Sequence, residues 1–442
     1  MENNGGRPTA PGPQRNRSAD NHVSINIENL NLAFSVQEKL MSLPTLSSEC
    51  CIFRVPEKLR HSHKEAYMPR VVAIGPYHRH SQSVMQMEDH KLRYLQSFLG
   101  HNQNCRLEDY IKRIRSWEDR ARSYYDKQID LSSDEFTEMM LLDGIFAIQL
   151  FLMYWNLEGT PNSDRIFGKP WMLNDVRRDM MLLENQMPFF AIEGLFEMAL
   201  GSHQRHTPVL LELTYGFFMP GVKMEEVPEA VMESEVKHFL DAIRLSYLPS
   251  AKKAPYDINE EVKLIPSVTE LVAAGVKLKR GKSNRLFDIG FNNGVLEIPR
   301  LSLYHTTESY FRNLIAFEQI YYQGNSYLID YIVFMDHLVN TPADSKMLID
   351  LGIIENWLGN EDAAADLINS FCKDTFLWTR NAYFYSLRHE LVAYCQRPYN
   401  KWKTSLKRDY CSSPWVVLSI MTAVVLLTLT VVQTACSLLS LK

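Results

Sequence analysis

From Tyr410 to Leu441 the chain carries no charged side chain, and this stretch constrains the molecule more than any other. Its centre, WVVLSIMTAVVLLTLTVV, runs from Trp415 to Val432, 18 residues. At 1.5 Å rise per residue, a helix of that length spans about 27 Å, close to the roughly 30 Å hydrocarbon core of a bilayer. Residues 414–439 are therefore expected to form one transmembrane helix. Its anchor residues are Trp415, Val416, Val417, Leu418, Ile420, Val424, Val425, Leu426, Leu427, Leu429, Val431 and Val432. Trp415 stands at the start, where interfacial aromatics gather. A buried core helix seldom runs so long without one charge.

The flanks set an orientation. Arg397, Lys401, Lys403, Lys407 and Arg408 precede the segment against one nearby acid, Asp409, and only Lys442 follows it. The positive-inside bias then places the N-terminal body in the cytosol. Residues 397–413 read as a basic juxtamembrane segment, each cation contributing about 1 kcal/mol near anionic headgroups.

The body is an ordinary globular sequence. Of 442 residues 46% are hydrophobic, enough for a full core without staples. A formal net charge of −5 offers no basic field for nucleic acid. Seven cysteines, with no C-x-x-C, suggest neither a disulfide framework nor a zinc knuckle. They fit a reduced body with several buried thiols. Residues 1–22 have no apolar h-region, and residues 1–40 are expected to be disordered. Residues 41–396 form the globular body.

The body is expected to be mainly α, an α+β arrangement with a small β-hairpin. Residues 133–155 open with a Ser133 cap and acids in the first turn, and Asp143 and Gly144 interrupt the apolar run. That pattern predicts a buried core helix. Asn174–Asn185 is expected as a second helix, and Pro188 restarts a third through about Leu200. Asn293-Gly294 between apolar runs predicts a hairpin over 286–298, with Leu301–Leu303 continuing its second strand. Arg70–Ile74 is expected as another strand. Further on, the spacing of Tyr327, Leu328, Tyr331, Ile332, Met335, Leu338 and Val339 predicts a helix. Another ends at Gly352, one is capped by Asn360, and a last one covers Phe376–Cys395. The polar, proline-punctuated stretch 221–266 reads as a surface excursion.

Tests for chemistry mostly fail. GVKLKRGKS (275–283) approaches a phosphate-binding loop, yet five residues separate its glycines where the cradle needs four. The segment before it reads as a helix where that loop requires a strand. The expectation is a basic surface loop, with Lys277, Lys279, Arg280, Lys282 and Arg285 as a contact surface and no nucleotide bound. His61, His63, His78, His80 and His90 could ligate a metal only if folded together, and no H-E-x-x-H or cysteine pair completes a site. Neither G-x-S-x-G nor G-x-G-x-x-G occurs. Glu184-Asn185-Gln186 is either a polar site or a set of helix-end partners, and the second is favoured beside Pro188.

Several segments in order carry a resemblance. They are VVAIGPYHR (71–79), MEDHKLRYLQSFL (87–99), MMLLDGIFAIQLF (139–151), DMMLLENQMPFF (179–190), IPSVTELVAAGVKLKR (265–280), FDIGFNNGVLEIPRL (287–301) and RNLIAFEQ (312–319). The stretches 331–374 and 408–434 extend the set. Together they resemble the plant family called domain of unknown function 247, over about residues 50–436. Small departures are Ile145, where cysteine is frequent, and Arg300, where a second proline is frequent. The resemblance implies a plant source and a C-terminal membrane anchor, and it supplies no catalytic residues. Some grass members of the family are associated with self-incompatibility, a pollen–stigma recognition process. The expectation is a membrane-anchored protein-interaction or recognition module with no cofactor, whose partners are the lipid bilayer and an unidentified protein. The alternatives are an enzyme with an unrecognised active site and an extracellular recognition domain of opposite topology.

Overall fold

The structure, a computed structural model, describes residues 17–41, 47–102, 105–156, 164–200, 209–219, 234–249, 264–322, 325–373, 383–397 and 414–440. Residues 1–48 and 49–442 form two compact units. Helix α1, Arg17–Met41, lies in the first. Of the segment expected to be disordered, residues 1–16 lie outside the described residues and 17–40 are helical. The polar composition behind that expectation is concentrated before residue 17, whereas Leu30, Leu32, Phe34, Leu40 and Met41 give α1 large apolar side chains, all exposed.

In the second unit, α2 (Met85–His101), α3 (Leu107–Arg122), α6 (Phe189–Leu200) and α7 (Leu210–Phe218) all pack on α4, Ser133–Trp155. Among the described residues α4 is the one helix long and apolar enough to cross a membrane, but 78% of its apolar window is buried. It is the core helix that the interrupted apolar run predicts. Its cap is Ser132, one residue before the expected Ser133. Ser132 Oγ accepts from Glu135 N at 3.3 Å, and the Glu135 carboxylate accepts from Ser132 N at 2.8 Å. Only Ser132 has a glutamate three residues on, which closes this reciprocal box.

Two expected elements differ. The second helix is α5, Pro170–Asp179, with proline in its first turn, and it stops well before Asn185. Asn185 Nδ2 donates to Asp179 O at 2.8 Å, and Gln186 Nε2 donates to Met180 O and Leu182 O at 2.7 and 2.8 Å. These amides satisfy the orphan carbonyls of the helix end, as favoured from the sequence, and turn the chain. Residues 70–74 are not a strand. Asp179 Oδ2 accepts from Arg70 N, Val71 N and Val72 N at 2.8, 2.7 and 3.2 Å. Asn185 Oδ1 takes Ile74 N at 2.7 Å, and Asp143 Oδ2 takes Gly75 N at 2.8 Å. The backbone donors are satisfied by side chains, so no partner strand is needed.

The second half mixes short strands with helices. Ser267 caps α9, Val268–Ala273, and β1 follows at Lys277–Arg280. The hairpin forms as predicted. Here β2 (Gly290–Asn292) runs antiparallel to β3 (Val295–Ile298), and Asn293 and Gly294 have φ of 51° and 77°. Strand β1 adds in parallel to β3, Lys277 facing Val295 and Arg280 facing Ile298. Leu301–Leu303 does not continue the hairpin strand. As β4 it starts a separate two-stranded sheet, pairing in parallel with β5, Ile354–Asn356, because Pro299 supplies no amide donor at the break.

Around these lie α10 (Thr307–Ile320), α11 (Tyr327–Leu338), α12 (Pro342–Asp350) and α13 (Glu361–Cys372). Asn360 caps α13 by accepting from Ala363 N at 2.7 Å, and Gly352 has φ of 67° after α12. Helix α10 reaches back to the first third of the chain. Ser309 Oγ and Asn313 Nδ2 both donate to Ala66 O, at 2.6 and 2.9 Å.

Part of the expected surface excursion is core. Phe239–Ser246 is a fully buried helix, α8, while 221–233 and 250–263 lie outside the described residues. Its apolar Phe239, Leu240, Ala242, Ile243 and Leu245 outweigh the polar flanks that suggested a surface. The last expected body helix is α14, Tyr385–Cys395, with 376–382 outside the described residues. Helix α15 spans Pro414–Ser440, 27 residues. Its apolar stretch with described side chains, Met421–Ser437, is shorter than a membrane span.

The turn at Gly75 can be tested by substitution. Its φ is 77°, and a Cβ there would sit 2.3 Å from Gln186 O. Gly75→Ala is expected to destabilise the chain by about 3 kcal/mol or more, from left-handed strain plus a backbone clash. Gly100, in α2, has nothing within 4 Å of such a Cβ. Gly100→Ala should be neutral or stabilise by about 0.5–1 kcal/mol. Denaturant titration of both variants is the check, and equal responses would sink the account of this turn.

Candidate functional site

The densest set of buried ionisable groups surrounds the segment 70–75. Lys91 Nζ, from α2, reaches Asp143 Oδ1, Glu88 Oε1 and Ala73 O, each at 2.6 Å. Burial pushes the Asp143 carboxyl up, with the Lys91 ammonium opposing. Burial also pushes Asp179 up, against its three backbone donors and Arg178, whose Nη1 lies 2.7 Å away. Glu184 goes the other way. Burial opposes its charge, but His78, the Val55 N–H and the Arg60 guanidinium together hold its carboxyl below the usual range.

Two further buried groups position helices. Glu318 takes Arg244 Nε at 2.8 Å and the N–H groups of Leu328 and Ile329 at 2.9 and 3.1 Å, so its charge sits on the first turn of α11. His238 is fully buried and caps α8, its Nδ1 accepting from Asp241 N at 3.2 Å. Its Nε2 lies 3.2 Å from Cys51 O and donates to it. Burial drives the imidazole down to about 3, so it is neutral. Perturbed groups in a cleft would suggest catalysis. Here each carboxylate accepts at least one backbone amide, although among the described residues Glu184 Oε2 and Arg178 Nε are buried without a hydrogen-bond partner, and none of these groups lines the cleft described below. The arrangement positions chain segments.

The five histidines are not brought together. His63 Nδ1 pairs with Glu308 at 3.0 Å, His78 with Glu184 at 3.3 Å, and His90 lies 3.7 Å from Asp164. Among the described residues no group of three ligating side chains could hold a metal. The basic contact loop is corrected in form: Lys277, Lys279 and Arg280 belong to strand β1. Alternating charge and apolar Leu278 at the sheet edge explain why a loop was expected there. Lys277 N donates to Gly294 O at 2.8 Å and Gly281 N to Ile298 O at 2.7 Å, so the near-miss phosphate loop commits its amides to the sheet. Lys279 pairs with Glu297 at 2.9 Å, whereas Lys277, Arg280 and Lys282 are exposed. Arg285 is half-buried in the following turn.

Of the juxtamembrane cations, Arg397 lies over the Tyr394 ring at 5.0 Å, while Lys401, Lys403, Lys407 and Arg408 lie outside the described residues. In α15 the side chains of Leu418, Val424, Val425, Leu426, Leu427, Leu429, Val431 and Val432 are exposed. The side chains of Trp415, Val416, Val417 and Ile420 lie outside the described residues.

Sequence reasoning missed one surface. Tyr304, at the end of β4, stacks on Trp357, just after β5, with ring centroids 6.0 Å apart and planes 19° apart. Both are exposed, by 45% and 59%, which is unusual for rings of this size. Beside them a shallow cleft of about 260 Å³ is lined by Tyr304, His305, Glu308, Leu358, Ala363 and Leu367. Glu308 is held by Arg312 and His63, both at 3.0 Å. The pairing of β4 with β5 brings the two rings together across 53 positions, and no local signal announces it.

Comparison with known proteins gives a consistent result. Residues 52–429 match the DUF247 family model, described as plant protein of unknown function. A UPF0481 protein of Arabidopsis thaliana is 30% identical over 437 residues, covering 92% of this chain and 90% of its own. A second UPF0481 protein from the same plant is 22% identical over 524 residues, covering 97% and 96%. No solved structure matches.

The neutral His238 has a pH signature. Its folded value lies below the unfolded 6.5, so the stability it contributes is present above pH 6.5 and is lost as pH falls toward 3. The loss is about 1.4 kcal/mol per pH unit, hence about 2 kcal/mol between pH 6.5 and 5. His238→Asn retains a capping side chain without the titration. The thermal midpoint of the native chain should fall more steeply with acid than that of the variant. Parallel pH profiles would refute the assignment.

Proposed function

The chain belongs to the DUF247 family of plant proteins of unknown function, and on that premise we propose that it is a membrane-anchored protein whose helical body binds another protein. The observation that carries the proposal is α15. A helix of 27 residues is about 40 Å long, enough for a bilayer core with turns to spare. Its described apolar side chains are exposed, which water disfavours and lipid accepts. Five cations precede it against Asp409, which orients the body toward the cytosol.

Protein binding is supported by the aromatic pair. Exposed Trp and Tyr beside a shallow cleft match the residue types that dominate interface energies. Tethering beside a membrane raises the effective concentration of membrane-bound partners. The buried charges favour a scaffold over a catalyst, since Lys91, Asp143, Asp179, Glu184 and Glu318 each already hold a piece of backbone. Catalysis by the body is the competing reading, and no particular residue pair favours it.

Ending the chain before Pro414 should release the body from membranes under alkaline extraction, whereas the full chain stays in the pellet. A truncated chain that pellets equally would remove the single anchor. In the full anchored chain, Trp357→Ala should weaken capture of membrane-bound partners by at least about tenfold, the scale of one interface hot spot. Unchanged capture would remove this surface, and a hydrolase or transferase activity that survives purification to homogeneity would overturn the binding role.

A further inference from the structure

We infer that the three-stranded sheet is a docking face for anionic phospholipid headgroups, its basic edge lying against the membrane in which α15 is anchored. The inference rests on the anchored reading above and adds to it the part of the body that meets the leaflet.

Two observations carry it. The first is unbalanced charge. Between Lys277 and Arg285 there are five cations, opposed nearby by Glu297 and Asp288, a net of three. Glu297 is engaged by Lys279, and Asp288 accepts from Ser283 Oγ at 2.7 Å. Lys277, Arg280 and Lys282 are exposed with no ion-pair partner among the described residues. Strand β1 is also an edge strand, flanked by β3 on one side only. Charged edges discourage strand addition by another chain, which weighs against an extended peptide as the occupant.

The second observation is where the chain leaves the body. Helix α14 packs on β2, with the Tyr394 and Phe291 rings 5.4 Å apart at 81°. Tyr394 also closes on the hairpin turn, where a Cβ on Gly294 would sit 2.6 Å from its hydroxyl oxygen. Gly294 O accepts from Lys277 N on the other side of the same turn. Arg397, over Tyr394, therefore starts the basic segment toward α15 against the hairpin turn to which Lys277 of β1 is bonded. The cations of β1 and Arg397, the first of the cations that precede the anchor, are gathered at one sheet. An anionic leaflet attracts such groups by about a fivefold affinity gain each, so three unpaired cations give roughly a hundredfold.

The test uses the full chain mixed with vesicles of phosphatidylcholine alone or with phosphatidylserine added. Flotation reads the anchor, and amine acetylation followed by peptide mass mapping reads the face. The expected result is flotation with both vesicles, with Lys277 and Lys282 acetylated several-fold more slowly on the anionic ones. Added salt should reverse that protection. Lys112, exposed on α3, should react equally on both. The Lys277→Glu, Arg280→Glu, Lys282→Glu variant should float as well as the native chain, and its surviving Lys279 should show no dependence on lipid charge. If that variant fails to fold, Lys282→Gln alone should show partial loss of protection at Lys277. Flotation with both vesicles but equal reactivity of Lys277 and Lys282 overturns the docking face and leaves the anchor standing. Flotation only with anionic vesicles, lost in the charge-reversed variant, keeps the face and removes the anchor. Flotation with neither overturns both. Protection by added polyglutamate on neutral vesicles, with none from phosphatidylserine, would assign the face to an acidic protein.

Discussion

Side chains take the place of a partner strand along residues 70–75, and the arrangement of the helices depends on that substitution. Asp179, Asn185 and Asp143 accept the amides, and Lys91 and Arg178 donate to the carbonyls of Ala73 and Met68. The five side chains come from four places: Lys91 from α2, Asp143 from the core helix α4, Arg178 and Asp179 from the end of α5, and Asn185 from the turn beyond it. One extended segment therefore fixes three helices relative to each other. Removing one partner would leave a buried charge or amide uncompensated, at about 3–5 kcal/mol for a broken buried ion pair. Such a network specifies one arrangement more than it adds net stability.

Much of this fold was legible in the sequence where the signal is local. The core helix, the Asn293-Gly294 hairpin, the Asn360 cap and the stop at Gly352 follow from short patterns with a direct physical cause. The errors share another cause. Arg70–Ile74 has a strand's composition, but its amides bond to side chains 107 to 111 positions away. The expected helix through Asn185 ends early because Asn185 and Gln186 turn back on it, and its apolar residues continue past the break. Phe239–Ser246 was hidden between polar flanks. The aromatic pair depends on the parallel pairing of β4 with β5. Periodicity reports what a segment buries, and it is silent on which distant side chain will satisfy its backbone.

Scaffold and surface chemistry divide between the two kinds of element. The helices hold nearly all the buried charge, locked against backbone. The short strands carry the exposed groups: cations on β1, and Tyr304 and Trp357 at the ends of β4 and β5. Only Pro299 and Arg300 separate β3, the strand on which the basic edge β1 pairs, from β4, which leads into Tyr304. Arg300 ties that junction by its ion pair with Glu355 of β5.

The bonds from Ser309 and Asn313 to Ala66 O also order events in time. During synthesis the first third of the body emerges with that carbonyl open and with the 70–75 segment waiting for Asp179 and Asn185. Its last link closes only after more than two hundred further residues have been made. Contacts of such separation are slow to form, and the waiting surface is prone to aggregate. Substitutions around Ala66 and Asn313 therefore act first on how much protein survives its own biosynthesis, and only second on how stable the finished molecule is.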